Sequence, residues 1–153
     1  MARRLHALAL ALSIWSAIAL PASATDPQGA RSKAVVLAFY NMALQDFRPE
    51  RAFQRYGSAA FVEHSQDTQG SDSAATVKFL RHLIDRSAKP RWQVVRTIAD
   101  GDLVFVHVRY TANPGAPEIA VAEVFRVRDG KIAEHWDVTS PPPDVVTNRI
   151  SRF

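Results

Sequence analysis

Apolar residues recur along this chain with two different periods, and the period changes near Pro90. Upstream, Val36, Phe39, Tyr40, Ala43 and Phe47 return at helical spacing, which predicts an amphipathic helix beginning at Ser32. Pro49 opens a second, short helix, because a proline in the first turn forfeits no hydrogen bond. Phe53 and Tyr56 give that helix an apolar face, and Gly57 gives it a stop. Phe61 to Ser65 reads as a short extended piece, followed by a polar loop from Gln66 to Gly70. Ser71 then caps a third helix over Asp72 to Ser87. Val77, Leu80, Leu83 and Ile84 form its buried stripe, and Pro90 ends it.

From Arg91 onward the period is two. Arg91–Ala99 and Asp102–Thr111 flank Asp100-Gly101, and Asn113 to Pro117 makes a loop. Glu118–Val127 and Lys131–Ser140 flank Arg128-Asp129-Gly130, so two hairpins are predicted. Helices followed by an antiparallel meander make the fold class α+β.

The second hairpin decides which side chains share a face. With a three-residue loop Arg128-Asp129-Gly130, Gly130 takes the left-handed position that closes such turns. Val127 then faces Lys131, Phe125 faces Ala133, Glu123 faces His135 and Val121 faces Asp137. One face would carry Ile119, Val121, Glu123, Phe125, His135 and Asp137, and the other Ala120, Ala122, Val124, Trp136 and Val138. A two-residue turn would slip the register by one and part His135 and Asp137 from Glu123. Both faces are largely apolar, and helices can cover only one. A homodimer through the other face is the expected solution, with Val124, Trp136 and Val138 near its centre.

Charge and targeting change the picture at the N-terminus. Arg3 and Arg4 precede an apolar run from Leu8 to Leu20, then Pro21 and the small-residue site Ala22-Ser23-Ala24. That order is the layout of a secretory signal peptide over residues 1–24, cleaved after Ala24, and the run is short for a membrane span. Thr25 to Arg31 is expected to be a flexible lead-in, residues 32–153 the folded domain, and the location periplasmic or secreted. The full chain has 19 basic and 15 acidic side chains, and cleavage would remove two of the former. The rest are dispersed among acids, so no nucleic-acid face is expected. No membrane attachment is expected after cleavage. The chain has no cysteine, which excludes disulfides, thiolate nucleophiles and zinc–thiolate sites.

Three segments carry a family resemblance. Phe61-Val62-Glu63-His64-Ser65 is similar to an aromatic-x-Gln-His-Asn segment, with Glu63 and Ser65 departing from it. Gly101-Asp102-Leu103-Val104-Phe105-Val106-His107 matches a Gly-Asp-x-Val-x-x-His strand. Glu123-Val124-Phe125-Arg126 through Glu134-His135-Trp136-Asp137 matches a terminal hairpin in which Glu123 replaces the usual Asp. From about Val35 to the C-terminus the chain therefore resembles the SnoaL-like (polyketide-cyclase-like) proteins, of the nuclear-transport-factor-2-like fold. The resemblance implies a cone-shaped curved antiparallel sheet packed on three N-terminal helices, with one deep pocket. It also implies that Asp137 matches the cyclases' catalytic carboxylate. Glu123 matches a cyclase pocket residue and the oxyanion-binding acid of the related ketosteroid isomerases. The resemblance does not place the isomerases' general base in this chain, so it does not by itself imply isomerase activity.

On this basis the candidate catalytic residues are Asp137, His135 and Glu123, and the candidate substrate-binding residues are His64, His107, Phe125, Val121 and Tyr40. Asp137 would act as base or acid, and a protonated Glu123 would donate to a developing oxyanion. The expected activity is cofactor-independent acid–base chemistry on a small apolar carbonyl compound, of the aldol-condensation or isomerase type. A non-catalytic ligand-binding or dimeric interaction module of the same fold stays open, as does a metal-dependent lyase using the histidines. No close-spaced ligand pair such as His-x-x-x-His is present, so no metal site is assigned. Nucleophile-elbow and phosphate-cradling glycines are also missing.

Overall fold

A computed structural model describes residues 26–148 and 150–153, so the expected export segment, residues 1–24, lies outside the described residues. The order of elements is α1 (Pro27–Tyr40), a π-helical turn (Asn41–Gln45), α2 (Pro49–Tyr56), β1 (Gly57–Glu63) and α3 (Ser73–Arg86). β2 (Arg91–Asp100), β3 (Leu103–Thr111), β4 (Ile119–Arg128) and β5 (Lys131–Ser140) follow. The five strands form one sheet in the order β1-β5-β4-β3-β2. The α+β class and the curved sheet on three helices are as expected. Among the described residues, no helix is long and apolar enough to cross a membrane.

Several boundaries move, each for a local reason. The first helix begins at Pro27 rather than Ser32, so residues 27–31 are helical and not a flexible lead-in. Pro27 presets the backbone angle of the first turn. Asp26 ties that end to the β2–β3 turn by accepting from the Gly101 amide at 2.9 Å, and Ser32 Oγ donates to the Gly101 carbonyl at 2.8 Å. Asp72, not Ser71, caps α3, with its side chain accepting from the Ala75 amide at 2.8 Å. Phe47 leaves the helical stripe, for it follows the π-helical turn at φ 57° and is 37% exposed. The first hairpin turns on Gly101 and Asp102, with Asp100 still paired to Leu103. β1 was expected only as a short extended piece. It joins the sheet edge parallel to β5, an exception in an otherwise antiparallel sheet.

The β4–β5 hairpin departs from the expected register in an instructive way. Its turn has two residues, Asp129 and Gly130, both left-handed at φ 51° and 70°. Arg128 pairs Lys131 and Val127 pairs Ile132, but the next pair is Arg126–Glu134. Ala133 is an extra residue, a bulge, and it restores the phase that the shorter turn would have lost. Phe125 thus faces His135, Glu123 faces Asp137 and Val121 faces Thr139, each displaced two residues from the expected partner. The division of faces survives because a shift of two preserves side-chain direction.

The inner face packs on α1 and α2. Val36, Phe39, Ala43, Phe53, Val104, Val106, Phe125 and Ile132 form the closed core, with the Phe39 and Phe53 rings edge-to-face at 5.0 Å. Beyond these residues the core opens toward α3, whose Leu80 and Leu83 are only partly buried. There the cavity lies.

Candidate functional site

β1, β4 and β5 supply the polar wall of this cavity, and α3, the π-helical turn, the start of β2 and the end of β3 supply the apolar one. It has a volume of about 290 Å³, just below the roughly 300–1,000 Å³ usual for small-molecule sites. Leu44, Phe79, Leu80, Leu83, Trp92 and Tyr110 line the apolar side, and Glu63, Glu123, His135 and Asp137 the polar side. Leu44 reaches it from the π-helical turn, a widened backbone that recurs at functional sites. Trp92 and Tyr110, paired across β2 and β3, stack at 4.8 Å to close one end.

Each polar group is held differently. Glu63 is buried and accepts from the Ser65 amide at 2.9 Å, from Thr76 Oγ1 at 3.0 Å and from His135 Nδ1 at 2.8 Å. Burial works against its charge, but the hydrogen bond and charge of His135, with Ser65 and Thr76, outweigh it. Its carboxyl is held below the ordinary value. An ionised carboxylate only accepts, so His135 Nδ1 carries the proton of that bond. His135 is raised above its ordinary value: burial opposes protonation, while Glu63, Glu123 and Asp137 together overcome it. Its Nε2 is buried and without a partner among the described residues.

Glu123 sits at the floor. Burial pushes its carboxyl from the ordinary 4.5 up to about 7, with Asp137 and Glu63 adding to the rise and His135 and Tyr40 opposing it. Tyr40 Oη donates to Glu123 Oε1 at 3.2 Å, while Glu123 Oε2 has no partner among the described residues. Burial beside this acid also drives the Tyr40 hydroxyl well above its ordinary value, so it stays a donor. Asp137 lies directly across the strand pair from Glu123 and lines the same cavity, only partly buried.

Six of the eight sequence-expected residues meet here. Asp137, His135, Glu123 and Val121 line the cavity. Phe125 and Tyr40 stand behind it, around an adjoining void of about 40 Å³ next to Glu123 and His135. The other two, His64 and His107, do not reach the cavity. His64 alternates with Glu63 and Ser65, so its ring turns outward, stacks on Trp136 at 4.5 Å and meets Glu134 Oε2 at 3.2 Å. His107 lies between the buried Val106 and Val108 and likewise turns outward, to Arg96 Nη1 at 2.9 Å and the Phe153 ring at 5.7 Å. The apolar residues of β3 on both faces concealed that parity.

Glu63 was missed as a site residue. A signal for it existed: Phe61, Glu63 and Ser65 alternate, so an acid falls on the face set by a buried aromatic ring. Among the described residues, no group of three or more metal-ligating side chains is placed to hold an ion.

Comparison with known proteins agrees with this architecture. A candidate SnoaL-like polyketide cyclase from Jannaschia sp. CCS1 superposes with a TM-score of 0.64 at 17% identity, over 77% of this chain and 91% of its own. An NTF2-like protein of unknown function from Mesorhizobium loti gives 0.61 at 20% identity, over 76% and 96%. An LEH-like epoxide hydrolase from M. tuberculosis gives 0.59 at 22% identity, over 74% and 86%. At these identities the likeness establishes the fold. No curated protein gives a significant sequence match. A profile of the SnoaL-like domain matches residues 36–135, which include the π-helical turn, the Glu63 strand and the Glu123–His135 wall, and the chain belongs to the SnoaL-like domain family.

Proposed function

We propose that the protein is a cofactor-independent acid–base catalyst that moves a proton next to the carbonyl group of a small apolar compound. The observation that carries this reading is the pairing of Asp137 with Glu123 across the cavity wall, with Glu123 pushed to about 7. A carboxyl that burial keeps neutral suits the role of acid and leaves that of base to the one opposite it. Asp137 is the base. Glu63 is fully engaged by His135, Ser65 and Thr76, and His135 favours the protonated form, so neither accepts a proton readily.

The acid side comprises protonated Glu123 and the imidazolium of His135. Among the described residues, Glu123 Oε2 and His135 Nε2 are the two buried polar atoms here without partners. A substrate carbonyl oxygen placed between them would receive two donors as it gains charge. Glu63 keeps the imidazole oriented and protonated. Trp92, Tyr110 and Leu83 exclude water from the carbon that loses its proton.

The test needs no knowledge of the natural substrate. Small cyclic ketones in deuterium oxide, followed by proton NMR, should exchange their α-hydrogens faster with the protein than in buffer alone. If the protein binds such ketones without accelerating exchange, it is a ligand-binding module instead.

Two further properties belong to the same proposal. The chain acts after export, so intact-mass analysis of protein from the native host should find a form beginning near Thr25. A dominant full-length species would end that reading. The protein also pairs with a second copy through the outer sheet face, where Val138 is 69% exposed and Val124 and Trp136 are partly buried. Val124→Arg places a charge in that patch and should shift the species to monomer in ultracentrifugation. A wild-type monomer at about 50 μM, well above the micromolar dissociation constants of ordinary complexes, would refute the pairing.

A further inference from the structure

Tyr40 stands where a substrate does not reach it. It ends α1, it is 2% exposed, and it borders the adjoining void of about 40 Å³ rather than the main cavity. That void is little larger than the ~30 Å³ share of one water molecule. The ring is set edge-to-face on Phe125 at 6.4 Å, which fixes the direction of its hydroxyl. The hydroxyl meets Glu123 Oε1 at 3.2 Å.

A phenol and a neutral carboxylic acid can each donate, so the direction of this bond matters. Among the described residues, Tyr40 Oη has no second hydrogen-bond partner. Were Glu123 the donor, the phenolic hydrogen would be buried without an acceptor, which is costly. With Tyr40 donating, every hydrogen has a place: Oε1 is the carbonyl oxygen, and the acid hydrogen is on Oε2.

From this we infer that Tyr40 is the positioning residue of the acid: it holds Glu123 Oε1 as the carbonyl oxygen and so assigns the acid proton to Oε2, the oxygen left for a substrate. The inference rests on the proposed acid–base reading and adds the group that keeps the acid aimed. Three features support it. Glu123 Oε2 is buried without a partner among the described residues, so a hydrogen there has no competing acceptor. His135 is built the same way, with Glu63 behind it on Nδ1 and Nε2 left free. A donor on the carbonyl oxygen also polarises the carboxyl group, which makes the O–H on its other oxygen a stronger donor.

Tyr40→Phe removes the donor and keeps the ring. The first readout is the infrared carbonyl band of neutral Glu123, isolated by subtracting the Glu123→Gln spectrum and followed as pH rises. It needs no turnover. In the wild type the band should fade as pH passes about 7. In Tyr40→Phe it should lie at higher wavenumber, as a carbonyl freed of its donor does. It should also persist to a pH higher by about half a unit or more, because a lost donor favours the neutral acid. The charged and titratable groups facing Glu123 are His135 and Asp137 on β5 and Glu63 on β1, unchanged between the two proteins.

The second readout is exchange into a neutral ketone, whose kcat should fall about fivefold at pH 6, the equivalent of one hydrogen bond. KM should change little. A tyrosine of merely structural importance would lower Tm and leave band and titration in place. 3-Fluorotyrosine in place of Tyr40 is a stronger donor and should move the titration to lower pH, so the test stands even where Tyr40→Phe folds poorly. An unmoved band and titration in folded Tyr40→Phe, an upward move with the fluorinated side chain, or a loss confined to KM would each overturn the inference. Accelerated exchange with an unmoved band removes the positioning role and keeps the catalyst. A shifted band in a protein without exchange removes the catalyst and keeps the placement of the proton.

Discussion

Replacing Asp137 with asparagine should slow deuterium exchange into ketones by ~10²-fold or more while the protein still folds and binds. A positioned general base contributes ~10²–10⁴-fold, and loss of the acceptor removes that contribution whole. Asparagine keeps the shape of the side chain and offers an amide to Glu123 across the strand pair, so the wall should persist. The loss should therefore appear in kcat, with KM for a neutral ketone little changed. No neighbour is placed to take over. Glu63 is spoken for by three donors, and His135 is biased toward the form that has no free lone pair. Unchanged exchange in the variant would sink the assignment of Asp137 as base.

Glu123→Gln should raise stability at pH 8 and lower activity at pH 6. The buried carboxyl titrates near 7 in the fold against an ordinary 4.5. A raised value favours the folded state most below pH 4.5. The advantage is lost as pH rises through 7, where the buried group must ionise. The difference amounts to about 3 kcal/mol on the scale of 1.36 kcal/mol per pH unit. Glutamine stays neutral and still accepts from Tyr40, so it escapes that loss. Part of the gain offsets the cost of its added N–H donors, for which Asp137 is the available acceptor. A net rise of about 1–2 kcal/mol, several degrees in Tm, is expected at pH 8 and none at pH 4.5.

His135 titrates in the same direction, being raised above its ordinary 6.5 and losing its contribution as pH climbs. Glu63, held below 4.5, works oppositely and fails as pH falls through its folded value. Stability should thus peak in mildly acid solution. Glu123 places the alkaline fall in exchange rate near pH 7, and that fall should flatten in the variant. A Tm for Glu123→Gln that is lower than wild type at pH 8 would contradict a strained buried carboxyl.

The helices and strands were legible because their periods are strong, and Pro49, Pro90 and the two Asp–Gly pairs punctuate them. The inward set Glu123, Phe125, His135 and Asp137 was also legible, although by a register that the bulge at Ala133 replaces. What stayed hidden depends on contacts between distant segments. Glu63 becomes a site residue only because β1 lies parallel to β5 and delivers its carboxylate to His135, 72 positions away. His107 is expected in the pocket, yet with Leu103 and Phe105 it occupies the outer face, where the ring of Phe153 returns to cover it. The outer face is accordingly less bare than its composition suggests. His64 stacks on Trp136 at 4.5 Å, and Arg126 bridges Asp102 at 2.8 Å and Glu134 at 3.0 Å beside it.

The bulge at Ala133 also sets where this hairpin tolerates a change of length. If Ala133 is lost, Val127–Ile132 and Arg126–Glu134 become successive rungs of a plain ladder, and every pair beyond them is unchanged. A residue lost between Glu134 and Asp137 is different: it rotates Trp136 inward and Asp137 outward unless the bulge is smoothed out at the same moment. Ala133 is a reserve of one residue, through which the hairpin can absorb a deletion without exchanging its wet and dry faces. Relatives one residue shorter here can hold the same inward acids, so counting from the turn glycine misplaces those acids by one, whereas counting back from the β5 end does not.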